Sequence, residues 1–151
     1  MKLQDAIKTE KFKNERHKAT LNLLYTAYWY KTHVSTTLKL SGLTTEQFNV
    51  LRILKGKNPE PMCVKDIASR MLEKSSNVPR IIDRLVRKKL VKRKNSKEDK
   101  RETLVSLTDL GLEQTDMATK AVDKQRSKII GLSEEEATQL HILLEKIRAV
   151  D

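Results

Sequence analysis

The sequence is short of the residues on which several protein classes depend. Its 151 residues include one cysteine, four glycines and three prolines, and only 4% are aromatic. The single cysteine, Cys63, allows no internal disulfide, which favours a reducing compartment. The chain has no glycine-rich phosphate loop and no recognisable set of nucleophile, base and orienting residue. The sequence therefore predicts a protein that is not an enzyme, and we expect no cofactor.

Long apolar runs are also missing. Residues 1–5 lack the apolar segment of a signal peptide, and no stretch is long enough to cross a membrane. The three histidines, His17, His33 and His141, show no metal-ligand spacing. We therefore expect a cytoplasmic protein of one domain's length, without membrane association and without a metal site.

Positive charge is what the chain has in excess. It carries 31 Lys and Arg against 20 Asp and Glu, a net charge of +11. Residues 1–60 hold 11 basic and 5 acidic residues, 61–110 hold 14 and 7, and 111–151 hold 6 and 8. Because the C-terminal third is mildly acidic, the excess is not a general aid to solubility. It predicts a polyanionic partner.

The middle of the chain contains an amphipathic helix. Apolar residues recur at helical spacing over residues 78–86. The opposite face is polar and mostly basic: Asn77, Arg80, Asp83, Arg84, Arg87 and Lys88. A shorter helix is predicted from about Val64, joined to the first through the polar turn 73–76. Two short helices connected in this way indicate a helix-turn-helix.

A hairpin with a charged tip follows. Residues 103–107 are suited to a strand that pairs back on residues 90–94, and the connecting residues 94–101 are almost all charged. Such a tip either lies in solvent or contacts something anionic. Because it follows a basic helix at short distance, we favour contact with DNA.

Three groups of residues form a pattern around these elements. They are Gly42-Leu43-Thr44 with Gln47, Phe48 and Leu51; Ile81-Ile82-Asp83-Arg84-Leu85; and Asp99-Lys100-Arg101 with Leu107-Thr108 and Gly111. In them the chain resembles the MarR family of bacterial winged helix-turn-helix transcriptional regulators. A long first helix and residues 131–136 extend a weaker likeness over nearly the whole chain.

The resemblance implies a mainly α fold with a small β-hairpin wing. It places a winged helix-turn-helix at residues 43–108 and dimerisation helices at 1–40 and 109–151. It also implies a dimeric regulator, by family habit a repressor, that binds double-stranded DNA at a palindromic operator and is released by a small aromatic or phenolic effector. Two-fold symmetry would put the recognition helices on half-sites roughly 10 bp apart. The alternatives are a non-specific, nucleoid-type nucleic-acid-binding protein and a protein-docking domain with an incidental basic face.

Five residues of the helix-turn-helix are candidates for DNA contact. Ser75 and Ser76 stand where a phosphate oxygen could be bound, with helix capping as their alternative role. Asn77, Arg80 and Arg84 face the base edges, and Arg80 is favoured because the start of the helix enters the groove deepest.

The wing supplies five further candidates. The resemblance implies that Arg101 enters the minor groove and that Asp99 holds it in place, although the pair could be a structural brace. Lys94, Lys97 and Lys100 would add phosphate attraction that is blind to sequence.

Two residues depart from the family pattern. Pro79 replaces a side chain that commonly donates a hydrogen bond; if Ser76 caps the helix, Pro79 lies in the first turn, where a missing N–H costs little. It should therefore change which bases are read rather than whether DNA binds. Lys89 stands where glycine is usual, so we expect it to accept a left-handed conformation.

A candidate effector pocket consists of rings and a cation on two predicted helices: Tyr25, Trp29, Tyr30, His33, Phe48 and Arg52. An aromatic stripe at helical spacing is more often core or dimer interface, so both readings stay open. Cys63 could be an oxidation switch, but its apolar neighbours favour plain packing.

The rest of the chain is predicted to be helical. A long first helix should run from about Asp5 to Leu40, and a second should follow a Thr44/Gln47 capping box and stop at Gly56. Two more are predicted after the wing, one capped by Thr108 and one by a Ser133/Glu136 capping box. The apolar residues of the N- and C-terminal helical regions together exceed what a small winged-helix core could cover, which favours a homodimer over a monomer.

Overall fold

A computed structural model describes residues 1–96 and 102–149 of the chain, and helices predominate in them. The elements in chain order are α1 (Leu3–Ile7), α2 (Glu15–Lys39), α3 (Thr45–Lys55), β1 (Met62–Cys63), α4 (Val64–Arg70), α5 (Val78–Arg87), β2 (Val91–Asn95), β3 (Thr103–Leu107), α6 (Asp109–Ile129) and α7 (Glu134–Arg148). The mainly α fold class with a small sheet is thereby confirmed. Across the described ranges, no helix is both long and apolar enough to cross a membrane.

One hydrophobic core lies between α3, α4, α5, the sheet and α6. Leu51, Ile67, Ile82, Leu85 and Val105 are among the side chains with 0% exposure. The apolar stripe of α5 points into this core, because burial of apolar surface is the main favourable contribution to folding. The polar and basic face of α5 is consequently held toward solvent.

The predicted helix-turn-helix is confirmed in α4 and α5, and α3 supports it. A capping box begins α3: the Thr44 hydroxyl accepts from the Gln47 amide, and the Gln47 side chain accepts from the Thr44 amide. Asn49 of α3 then accepts a hydrogen bond from the Leu72 amide at 3.0 Å. The turn between α4 and α5 is therefore tied to α3.

The sheet has three antiparallel strands in the order β1-β3-β2. β2 and β3 form the predicted hairpin, with Val91 opposite Leu107 and Asn95 opposite Thr103. β1 pairs with the middle of β3, Met62 lying opposite Val105. The sequence did not predict β1, because two residues are too short to show the alternation by which strands are recognised.

The two residues between Lys88 and β2, Lys89 and Leu90, make close contacts with the start of α6. Lys89 has a φ of 60°, so the left-handed conformation expected there is confirmed. The Thr108 hydroxyl donates to the Lys89 carbonyl at 2.7 Å and accepts from the Gly111 amide at 2.9 Å. A Cβ added to Gly111 would lie 1.9 Å from the carbonyl oxygen of Leu90, so only glycine fits that position.

The N-terminal segment differs from the single helix predicted over residues 5–40. α1 ends before Lys8, which has a φ of 53°, and α2 begins after Asn14, whose side chain accepts from the His17 amide at 2.9 Å. The prediction rested on the lack of Gly and Pro there, but the left-handed Lys8 and the capping side chain of Asn14 are sufficient to divide the helix. The prediction of a helix is therefore right for residues 15–39 and wrong for residues 8–14.

α7 has an uncovered apolar face. It begins at the predicted capping box of Ser133 and Glu136, and none of its residues is buried. Its exposed large apolar side chains are Leu140, Ile142, Leu143 and Ile147, which are 46 to 58% exposed. Leu23, Leu24 and Tyr28 of α2 are exposed as well.

Candidate nucleic-acid interface

The basic face of α5 begins at Asn77, which caps the helix. Its side-chain oxygen accepts from the Arg80 amide at 3.2 Å. The cap is therefore Asn77 and not Ser76, for which capping was the alternative role, because the side chain of Asn77 reaches that amide from the position directly before the helix. Pro79 still falls in the first turn, where its missing N–H leaves no helical bond unmade.

A cleft of about 290 Å³ opens on this face at the start of α5. It brings together the five helix-turn-helix residues singled out from the sequence: Ser75, Ser76, Asn77, Arg80 and Arg84. Arg80 and Arg84 are exposed and lie one turn apart. The Ser76 hydroxyl is buried, and it has no hydrogen-bond partner among the described residues. The arrangement presents two guanidinium groups beside a helix N-terminus, where an anion is favoured.

Two carboxylates on the same cleft are held by a lysine of α2. Lys31 bonds Glu73 at 2.5 Å and lies 4.0 Å from Glu46. The hydrogen bond to Glu73 raises the pKa of Lys31 above its ordinary value, although slight burial opposes it. This contact could not be predicted from the sequence, because Lys31 and Glu73 are 42 residues apart. It ties the long first helix to the turn that leads into α5.

The basic residues of β2 divide between the two faces of the sheet. Lys92 and Lys94 are exposed on one face. With Pro59 and Pro61 they line an open groove of about 520 Å³. Arg93 lies on the other face, since successive strand residues alternate. It contacts α5 through an ion pair with Asp83 at 2.5 Å. The candidate Lys94 is thus exposed as expected.

The tip of the wing lies outside the described residues. The sequence-based candidates Lys97, Asp99, Lys100 and Arg101 all belong to it, and their roles stay predictions.

The candidate effector residues form two separate contacts, each within one helix. On α2, the rings of Trp29 and His33 are 4.4 Å apart, and His33 Nδ1 lies 2.9 Å from the Trp29 carbonyl oxygen. On α3, the Arg52 guanidinium lies 5.8 Å from the centre of the Phe48 ring. Phe48 is buried in the core, whereas Arg52 is exposed.

Tyr25 and Tyr30 are the remaining members of this set. Both are partly buried on α2. A partly buried row of rings on one helix fits a ligand site and a subunit interface equally well.

Cys63 has a structural role in the local fold. Its sulfur accepts from the Asp66 amide at 3.4 Å at the start of α4. That amide lowers the pKa of the thiol, but partial burial and the side chains of Asp66 and Glu102 outweigh it, and the net pKa lies above its ordinary value. A thiol that stays protonated is a poor nucleophile, which favours packing over an oxidation switch.

Comparisons with known proteins agree with this geometry. A model described as the MarR family matches residues 43–103. The HTH-type transcriptional regulator YkoM of Bacillus subtilis (strain 168) is 34% identical over 109 residues, which make up 72% of this chain and 70% of YkoM.

Solved structures extend the likeness to the whole fold. S. aureus MepR in complex with DNA has a TM-score of 0.76 and 25% identity, over 85% of this chain and 94% of the MepR chain. BpsR of Bordetella bronchiseptica, whose DNA binding is regulated by 6-hydroxynicotinic acid, has a TM-score of 0.73 and 26% identity, over 86% and 93%.

The matched family segment contains the basic cleft, the turn tied to α3 and strand β2, and the likeness to YkoM extends well beyond it. A helix-turn-helix with a basic outward face, carried on this fold, is suited to a DNA groove. The protein belongs to the MarR family and is a DNA-binding transcriptional regulator.

Proposed function

We propose that the protein is a homodimeric repressor that occupies a palindromic operator and leaves it when a small aromatic or phenolic effector binds. The observation that carries the proposal is the cleft at the start of α5, where Asn77, Arg80 and Arg84 lie together on an exposed helix face. The apolar face of α5 is locked in the core, so these side chains are presented from a rigid support.

Each element has a role in this proposal. Arg80 and Arg84 read base edges in the major groove, and Asn77 adds its side-chain nitrogen. Ser75, which is exposed at the helix start, binds a phosphate through its hydroxyl. The hydroxyl of Ser76 is buried, so Ser76 supports the turn that positions Ser75.

The wing acts in the neighbouring minor groove. Lys94, with Lys97 and Lys100, attracts phosphates. Arg101 enters the groove, held by Asp99. The whole winged helix-turn-helix comprises residues 43–108.

The dimer is supported by the exposed apolar residues of the terminal regions, 1–40 and 109–151. Leu140, Leu143 and Ile147 recur at spacings of three and four residues on α7, which makes one apolar stripe. A second copy would cover this stripe and the exposed residues of α2. Two-fold symmetry then sets two recognition helices against one palindrome, with half-sites about one helical turn apart.

The effector is proposed from both the residues and a relative. In BpsR an aromatic acid, 6-hydroxynicotinic acid, regulates DNA binding. Here the rings of Trp29 and His33 on α2, and Arg52 above Phe48 on α3, offer stacking surfaces and a cation for an acid of that type. Tyr25 and Tyr30 would complete the site. An effector bound between α2 and α3 would act on the turn before α5 through the contacts of Lys31 with Glu46 and Glu73.

A regulatory rather than catalytic role fits the family and the sequence, and the protein would act in the cytoplasm, where its DNA is. The alternative is a non-specific nucleic-acid binder, which the overall charge of +11 would also support.

Fluorescence anisotropy with a library-selected duplex and a scrambled duplex, each at two salt concentrations, separates these functions. We expect the wild type to prefer the selected palindrome. Arg80→Ala should cost about 1 to 3 kcal/mol of operator binding and relax specificity, whereas Arg101→Ala should weaken binding broadly. Arg126→Ala, which removes the same charge from α6, is the matched control and should change little. Equal binding of both duplexes by the wild type would replace the repressor with a non-specific binder.

A further inference from the structure

Arg93 joins the two elements that face DNA. One of its guanidinium nitrogens, Nη2, lies 2.5 Å from Asp83 Oδ1 and 3.5 Å from the carbonyl oxygen of Pro79. Pro79 and Asp83 are four residues apart, so they lie on one side of α5 in successive turns. Arg93 therefore links β2 to the first two turns of α5, in addition to the packing of Val91 in the core.

The neighbours of Arg93 on β2 have no part in this contact. Lys92 and Lys94 lie on the opposite face of the sheet and line the surface shared with Pro59 and Pro61. Arg93 shares its face with Val91, which is buried in the core. Three consecutive basic residues thus have two different tasks, a division that their common charge hides in the sequence.

The ion pair also changes the charge that α5 presents. Asp83 is the acidic residue among the ten of α5, and it follows Arg80 by three positions and precedes Arg84 directly. Without a partner, its carboxylate would repel phosphates beside the two arginines. The pair with Arg93 neutralises that carboxylate. Because both side chains are partly exposed, such a pair contributes little to the free energy of unfolding. Its effect should fall on DNA recognition instead.

We propose that Arg93 is a positioning residue for DNA recognition, which fixes the wing strand at one distance from α5 and masks Asp83. The inference rests on the proposed function, because a fixed distance matters only to a protein that places a helix and a wing on one operator. Arg93 acts through Pro79 and Asp83 rather than through a phosphate.

The test compares Arg93→Met with Lys92→Met, which removes the same charge from the other face of the same strand. Binding to selected and scrambled duplexes is measured for both. Lys92→Met should weaken the two duplexes by the same factor. Arg93→Met should in addition lower the ratio of selected to scrambled affinity by about tenfold, because base contacts depend on position and phosphate contacts do not.

Two further variants separate position from charge. Asp83→Asn should lower the same ratio while leaving scrambled binding equal or stronger, since a repelling carboxylate is removed. Arg93→Lys, which keeps a donor for Asp83, should recover part of the ratio that Arg93→Met loses. If all four variants keep the wild-type ratio, Arg93 is not a positioning residue. Thermal melts confirm that each variant is folded.

Amide hydrogen exchange without DNA tests the contact itself. Exchange in Val91–Asn95 should become several-fold faster in Arg93→Met and Asp83→Asn than in Lys92→Met, because the strand loses its hold on α5. Equal exchange in the three variants would overturn the contact whatever the DNA result. If the wild type does not prefer the selected duplex, the proposed function and the positioning role of Arg93 are both wrong. If the wild type is selective but the variants keep its selectivity, only the positioning role is wrong.

Discussion

Helices α5 and α7 are both amphipathic and both begin with a side-chain cap, yet they differ in what covers their apolar residues. On α5, Val78, Ile81, Ile82 and Leu85 are at most 9% exposed. On α7 no residue is buried, and its large apolar side chains face outward. One chain is therefore enough to pack the recognition helix, whereas the last helix needs a further surface, which we assign to a second copy.

The two regions also differ in charge. Residues 61–110 have twice as many basic as acidic residues, and residues 111–151 have a slight acidic excess. The cationic part is the part whose orientation the core fixes. A rigid basic surface can be placed on DNA, while a less charged apolar surface can be buried between subunits without a large desolvation cost. Paired substitutions should therefore separate the packed part of the fold from the exposed last helix.

The largest contrast should come from two glycines. Gly111→Ala puts a Cβ 1.9 Å from the Leu90 carbonyl oxygen, whereas a Cβ on Gly131 meets nothing within 4 Å. We expect Gly111→Ala to lower the free energy of unfolding by about 3 kcal/mol or more, because backbone must move. Gly131→Ala should be close to neutral. Urea denaturation followed by circular dichroism measures both, and similar midpoints would contradict the close contact between α6 and the wing.

Subunit association, in contrast, should depend on the exposed face of α7 and not on the packed core. Leu143→Glu removes an exposed apolar residue of α7, and burial of one leucine contributes about 1.5 to 3 kcal/mol per copy. The dimer should therefore dissociate at concentrations where the wild type is intact, as measured by sedimentation equilibrium. The monomer should keep its folded winged helix.

Gln139→Glu is the control for this variant, since it adds the same charge to α7 at a polar position. It should leave the dimer largely intact. A wild type that is monomeric at every concentration tested would remove the proposed interface altogether.

Two capping hydroxyls give a smaller contrast. Thr108 caps α6 and also donates to the Lys89 carbonyl, so Thr108→Ala should cost about 1 to 2 kcal/mol in the unfolding of the core. Ser133 caps α7 in the same way, but that helix can fray without opening the core. Ser133→Ala should cost less than about 0.5 kcal/mol in the same transition. Equal losses would mean that α7 unfolds together with the winged helix.

Local signals in the sequence were enough for most of the fold. The capping boxes at Thr44 and Ser133 and the apolar period of α5 each depend on residues a few positions apart, and the structure places these elements as predicted. The break after α1 was missed because it depends on the conformation of Lys8, a residue type that carries no turn signal. Likewise β1 exists only because β3 is beside it.

The candidate site was predictable only in its outline. Spacing placed Arg80 and Arg84 on one exposed face, and the structure collects them in one cleft. Two contacts join different elements, Lys31 with Glu73 and Arg93 with Asp83, and neither could be predicted from the sequence. Nothing in a run of basic residues tells which of them faces DNA and which faces the protein, because that depends on the strand's orientation against α5.

The smallest predicted effect concerns Glu46 of α3, whose carboxylate lies 4.0 Å from Lys31 of α2. Partial burial tends to raise the pKa of this carboxyl, but its own amide, the hydroxyls of Thr44 and Thr45, and Lys31 outweigh burial and lower the pKa below its ordinary value. A carboxyl with a lowered folded-state pKa stabilises the fold above its ordinary pKa, and this contribution is lost as the pH falls through the folded-state pKa.

Glu46→Gln should therefore be less stable than the wild type near neutral pH, by less than about 1 kcal/mol because the pair with Lys31 is partly exposed. The difference should close as the pH falls through the folded-state pKa of Glu46, because the wild-type carboxyl then also becomes uncharged. Urea midpoints at several pH values measure it, with Glu60→Gln in the exposed loop before β1 as the charge-matched control. A difference that persists at acid pH would mean that Glu46 acts through packing rather than charge, and that its pair with Lys31 contributes nothing to stability.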